Sequence, residues 1–119
     1  MKKILLIEDD PDITEIVRLA LAGKYIVKAR SDNQDLLVLL EDFQPDLIMI
    51  DYYIGQKKAT EIMGGIKSLE THKDLPFILF SGHHDIQNLA GTMGATAWLA
   101  KPFSLAELYS TIENVFQKS

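Results

Sequence analysis

Five short apolar runs punctuate the chain, at residues 4–7, 25–27, 47–50, 77–80 and 97–100. Four of them are nearly continuous in apolar residues rather than alternating, the pattern of parallel strands covered on both faces. Segments of helical period separate them. Ile13, Ile16, Val17, Ala20 and Leu21 share one face of a first helix, with Asp10 as cap, Pro11 at the first helical position and Gly23 as stop. A second helix is predicted from about residue 33 to 43, opened by Ser31 and Asp32 and closed before Pro45. The third, over residues 60–69, is weaker, because Gly64 and Gly65 each cost about 1 kcal/mol against alanine in a helix interior. A fourth spans residues 86–93. Ser104-Leu105-Ala106-Glu107 forms a capping box for the last, which presents Leu105, Leu108, Ile112, Val115 and Phe116.

Strict alternation of strand and helix predicts right-handed crossovers and an α/β fold, a doubly wound, five-stranded parallel sheet of flavodoxin-like order 2-1-3-4-5. Such folds place their sites beyond the carboxyl ends of the strands, near the switch between strands 1 and 3. Strand 1 ends in Glu8-Asp9-Asp10, strand 3 in Asp51, strand 4 in Ser81 and strand 5 in Lys101. Taken singly each has a bland reading: an acidic triplet caps a helix, an Asp or Ser forms a turn, a lysine is solvated. Convergence from four separate segments on one rim favours function instead.

The chain of 119 residues suits a single domain, residues 1–119, and shows no linker or internal repeat. A net charge of −5 with no Lys/Arg stripe argues against nonspecific attraction to nucleic acid. No apolar run approaches the ~20 residues of a membrane helix. The start at Met1-Lys2-Lys3 gives way to Glu8 too soon for a secretory leader. Cysteine is absent, which fits a cytoplasmic protein.

The chemistry narrows further. Glu8, Asp9 and Asp51 held close would repel and raise one another's pKa, and a hard divalent cation such as Mg²⁺ relieves that repulsion. Phosphoryl transfer needs positioning and charge neutralisation more than acid–base chemistry. Mg²⁺, Lys101 and the Ser81 hydroxyl can each meet one region of a transferred group, and Asp51 can attack as a carboxylate to form an acyl phosphate.

Four segments carry a resemblance: Ile4-Leu5-Leu6-Ile7-Glu8-Asp9-Asp10-Pro11, Pro45-Asp46-Leu47-Ile48-Met49-Ile50-Asp51, Phe80-Ser81-Gly82-His83 and Trp98-Leu99-Ala100-Lys101-Pro102-Phe103. In this order and spacing the chain resembles a response-regulator receiver domain of two-component signalling, over essentially its whole length. The resemblance implies that Asp51 accepts phosphate from a histidine kinase or histidine phosphotransfer protein. It implies Asp9 as a direct Mg²⁺ ligand, Glu8 through water, and the Tyr53 carbonyl as a further ligand. Ser81 and Lys101 would contact the phosphoryl group, and the Lys101–Pro102 bond would be cis. Trp98 occupies the place of an aromatic switch residue coupled to Ser81, its bland alternative being a partly buried core tryptophan.

The loop after the acceptor departs from the family. Gly55 replaces a proline, so the loop is expected to be more mobile; Lys58 and Ala59 stand where Asp and Gly are usual, so the third helix is expected to begin differently. Tyr53 and His83 should flank the phosphoryl group and slow its hydrolysis. His83 and His84 as metal ligands are disfavoured, since neighbours rarely point at one ion. Competing classes are a degenerate receiver acting as a phosphorylation-independent interaction module, and an aspartyl-phosphate hydrolase. The hydrolase would want an Asp where Tyr53 stands. With the chain ending at Ser119, no output domain is expected, and the chain is either a free-standing single-domain regulator or an excised receiver. A free-standing module would signal by binding an unnamed downstream protein, through the face of the fourth helix, fifth strand and fifth helix. Pairing of two copies as a homodimer is left open.

Overall fold

A computed structural model provides the structure and describes residues 1–118. The element order is β1 (Lys3–Ile7), α1 (Pro11–Leu21), β2 (Ile26–Arg30), α2 (Leu36–Phe43), β3 (Leu47–Asp51), β4 (Tyr53–Ile54), β5 (Lys57–Lys58), α3 (Ala59–Lys67), β6 (Phe77–Ser81), α4 (Ile86–Met93), β7 (Ala97–Ala100) and α5 (Leu105–Lys118). The main sheet is parallel with order β2-β1-β3-β6-β7, the predicted doubly wound arrangement. No helix among the described residues is long and apolar enough to cross a membrane.

Successive strand residues point to opposite faces, so a strand buried on both sides must be apolar throughout. On one face Leu5, Ile7, Ile48, Ile50, Phe77 and Leu79 pack under α2, α3 and α4 through Leu36, Leu40, Ile62, Ile66 and Ile86. On the other, Ile4, Leu6, Met49, Ile78 and Phe80 pack under α1 and α5 through Val17, Leu21, Leu108 and Ile112. These two layers are finished differently at their helix ends. The first turn of α1 is capped by Asp10, whose Oδ1 accepts from the amides of Asp12 (2.9 Å) and Ile13 (3.4 Å). The α5 capping box is formed in both directions at 3.1 Å, from the Glu107 amide to Ser104 Oγ and from the Ser104 amide to Glu107 Oε1. By contrast α2, α3 and α4 start without a side-chain cap bond.

Several sequence expectations shift. The second strand runs from Ile26 to Arg30 rather than over 25–27, because it is a sheet edge with alternating burial and includes Lys28 and Arg30. Helix α2 begins at Leu36 rather than near residue 33. Asp32 spends its carboxylate on a local turn, accepting from the Gln34 amide at 2.9 Å, and Asp35 is left-handed at φ 53°, so Ser31 and Asp32 do not open the helix. The glycine pair lies inside α3 on exposed positions, with Ile62, Met63 and Ile66 buried beside it. The altered loop contains a short antiparallel hairpin, pairing Tyr53 with Lys58 and Ile54 with Lys57. Ala59 needs no left-handed backbone: it is the first residue of α3, and its amide donates to the Tyr52 carbonyl at 2.7 Å.

Ser104→Ala removes one half of the α5 capping box. It should lower unfolding free energy by about 1 kcal/mol, read as a lower urea midpoint at unchanged slope.

Candidate functional site

Parallel pairing brings the strand ends to one rim. Asp51 is the last residue of β3 and lies in register with Phe80; Ser81 ends β6 in register with Ala100, and the Lys101 amide donates to the Ser81 carbonyl at 3.0 Å. Glu8 follows β1, its amide bonded to the Arg30 carbonyl at 3.0 Å. One carboxylate oxygen from each of Glu8, Asp9 and Asp51 lies within 4.8 Å of the others. Burial is graded across the three: Glu8 is buried, Asp51 half-buried and Asp9 exposed.

Lys101 reaches into this cluster. Its Nζ donates to Asp51 Oδ2 at 2.8 Å and to Glu8 Oε2 at 3.0 Å, with the Phe80 ring centroid 5.0 Å away. The other Glu8 oxygen accepts from the Asp10 amide at 3.0 Å. One ammonium cannot neutralise three carboxylates, so negative charge is left over. Burial drives the Glu8 carboxyl upward from its ordinary 4.5 to about 7, and the neighbouring Asp51 charge adds to this, while the Asp10 amide and Lys101 pull the other way. Burial works against the charge on Lys101, but its bonds to Asp51 and Glu8 prevail and raise it above the usual lysine value.

The donor set is all oxygen, acidic and partly open to solvent, which fits a hard divalent cation such as Mg²⁺. Tyr53, two residues beyond Asp51, is the first residue of β4. The Asp9 carboxylate is held from the hairpin: the Gly55 amide donates to its Oδ2 at 2.9 Å. Sequence reading missed this contact because the donor is a backbone atom, although the departure at Gly55 marked the place.

Ser81 is buried, and its Oγ accepts the His83 amide at 3.2 Å, which leaves the hydroxyl proton free to donate. His83 Nδ1 accepts from the Asp85 amide at 3.0 Å, which puts the proton of the neutral ring on Nε2. Tyr53 and His83 do come together, with ring centroids 6.5 Å apart. Buried Tyr52 meets both edge-on, at 4.8 Å from Tyr53 and 5.8 Å from His83. Tyr52 was not singled out in the sequence; as a residue next to the acceptor it carries no pattern that separates a packing role from an exposed one. His83 and His84 stack on each other at 4.8 Å and lie outside the acidic cluster. Trp98 lies on edge strand β7 and is 42% exposed. The Lys101–Pro102 peptide is cis. A surface cavity of about 480 Å³ between α2 and α3, lined by Leu36, Leu37, Ile62 and Ile66, includes none of Glu8, Asp9, Asp51, Ser81 and Lys101.

Comparison with known proteins follows the same lines. The profile of the family described as the response regulator receiver domain matches residues 4–113. The phosphate regulon transcriptional regulatory protein PhoB of Pseudomonas aeruginosa is 30% identical over 122 residues, which takes in 99% of this chain and 53% of that protein. The chain thus spans about half the length of the curated relatives it matches. Among solved structures, a candidate response regulator from Chloroflexus aurantiacus superposes with a TM-score of 0.88 at 25% identity, covering 98% of each chain. The chemotaxis response regulator CheY4 of Vibrio cholerae shares the fold, with a TM-score of 0.86 at 24% identity over 97% of this chain and 98% of that one.

The raised Glu8 carboxyl makes a signed prediction. Its protonated form stabilises the metal-free fold fully below pH 4.5, and that contribution is lost as pH rises through about 7. Between those values the wild type should lose on the order of 2 kcal/mol relative to Glu8→Gln, measured by urea unfolding in chelator at several pH values.

Proposed function

The chain belongs to the response regulator receiver domain family, and from that premise we propose that Asp51 is its phosphoryl acceptor. Receiver domains of this family are signalling domains of two-component systems, take phosphate and bind Mg²⁺ at an acidic cluster. The observation that carries the assignment is the pair of bonds from Lys101 to Asp51 and Glu8, with Asp9 alongside. An ion trio of this kind at the carboxyl rim has little worth as a stabilising device, because desolvating it costs more than ordinary surface pairing returns. It suits a reaction in which anionic charge arrives.

In the proposed step a phosphohistidine of a kinase or phosphotransfer protein is the donor. An Asp51 carboxylate oxygen attacks phosphorus; the O–P bond forms as the donor N–P bond breaks, and the leaving imidazole takes a proton from water. Lys101 Nζ, already on Asp51 Oδ2, follows the charge onto a phosphoryl oxygen, and the Ser81 hydroxyl donates to another. Glu8, Asp9, Asp51 and the Tyr53 carbonyl are the residues assigned to hold Mg²⁺, which supplies charge neutralisation when bound. Beyond assisting its own phosphorylation and dephosphorylation the chain is assigned no enzymatic activity. A cavity of about 320 Å³ lined by Ile13, Ile16, Pro102 and Phe103 adjoins Lys101 and supports docking of the donor protein there.

Readout is assigned to the face of α4, β7 and α5, where Trp98 and Leu105 are exposed apolar side chains. Phosphate at Asp51 draws Ser81 toward it, and the population at that face shifts. Tyr53 and His83 are assigned to screening the acyl phosphate from water.

Incubation with Mg²⁺ and a small phosphodonor should add the mass of one phosphoryl group to the wild type and none to Asp51→Asn. Trp98 emission should change with the adduct. A wild type that stays unmodified would instead indicate a phosphorylation-independent interaction module, and an unchanged emission would rule out ring movement. Tyr53→Ala and His83→Ala should shorten the adduct half-life several-fold in timed quench assays.

A further inference from the structure

The hairpin that replaces the expected loop is joined to the acidic cluster by one backbone group. Gly55 opens the two-residue turn between β4 and β5 with φ +60°, a conformation that glycine adopts at no steric cost. A side chain added there would meet nothing within 4 Å, so conformation rather than space sets the requirement. In that conformation the Gly55 amide reaches Asp9 Oδ2 at 2.9 Å, a contact between residues 46 apart in sequence. Asp9 is the exposed member of the carboxylate trio and the one that Lys101 does not hold, since Lys101 bonds to Glu8 and Asp51. A proline in place of Gly55 would have no amide proton to donate.

We propose that the Gly55 backbone amide is a positioning group for the cation site. It orients the Asp9 carboxylate through Oδ2 and keeps Oδ1 available to the ion, so hairpin order and cation binding are linked. This rests on the reading of Glu8, Asp9 and Asp51 as a cation site. A group that orients a ligating carboxylate raises affinity by removing the torsional freedom that the ion would otherwise have to restrain. Linkage is reciprocal, so the bound ion must also hold the hairpin. Gly55 touches neither phosphate nor ion in this scheme and acts only through Asp9.

The test is Mg²⁺ titration of the isotope-labelled full chain by amide chemical shifts, with hydrogen exchange at Gly55. Replacing the Ile54–Gly55 amide by an ester deletes the donor and keeps the backbone freedom of glycine. Gly55→D-Ala, made by the same synthesis, keeps the donor in a residue that favours positive φ at the first position of such a turn. The expected result is Mg²⁺ binding weakened roughly tenfold by the ester and unchanged in Gly55→D-Ala, with Gly55 exchange in the wild type slowed by Mg²⁺. An ester that binds Mg²⁺ as tightly as the wild type overturns the proposal. So does a Gly55→D-Ala chain weakened as much as the ester, which would make turn shape the cause. If the wild type shows no Mg²⁺-dependent shifts at Glu8, Asp9 and Asp51, the cation-site reading itself fails and takes this inference with it.

Discussion

Excess negative charge at the end of a parallel sheet is the constraint around which the rest of this molecule is arranged. The topology brings β1 and β3 side by side, and with them Glu8 and Asp51. Burial of Glu8 makes that proximity costly, and the protein answers it in part with one ammonium, from Lys101, delivered by the edge strand two positions away. What remains is a deficit of positive charge that a proton, a cation or an incoming group must meet. Lys101 compensates Glu8 and Asp51 directly and leaves Asp9 to other donors.

The hydrophobic architecture was readable in the chain wherever burial was two-sided. Ile4 to Ile7, Leu47 to Ile50 and Phe77 to Phe80 are apolar at every position because each residue faces one helical layer or the other. Edge strand β2 was shortened in the reading because Lys28 and Arg30 face solvent on a half-covered strand. The start of α2 was misplaced for a different reason. Asp32 is an equally good turn former and helix cap, and only the backbone shows that it bonds the Gln34 amide while Asp35 turns left-handed. Asp10 and Ser104 had no such competitor, and both cap as their patterns implied.

At the site the side chains were legible and the backbone was not. Glu8, Asp9, Asp51 and Lys101 could be placed together because strand ends and topology are sequence properties. The grip of Gly55 on Asp9 depends on a hairpin only two residues deep on each side, below the length at which apolar periodicity carries a signal. The departure from family pattern at residues 55–59 pointed to a change in this loop without giving its form, which is a two-residue hairpin whose Gly55 amide reaches Asp9.

The unequal finish of the two helical layers has a consequence for how the molecule yields. Long, capped α1 and α5 cover one face, while α2, α3 and α4 span only eight to nine residues each and start without side-chain caps. Local opening tends to follow such differences, so the layer of short helices is expected to exchange its amides faster than α1 and α5. That layer also holds the segments immediately downstream of Asp51 and Ser81. The α4–β7–α5 face assigned to readout therefore joins a short helix without a side-chain cap to a long capped one, a compliant edge set beside a stiff one.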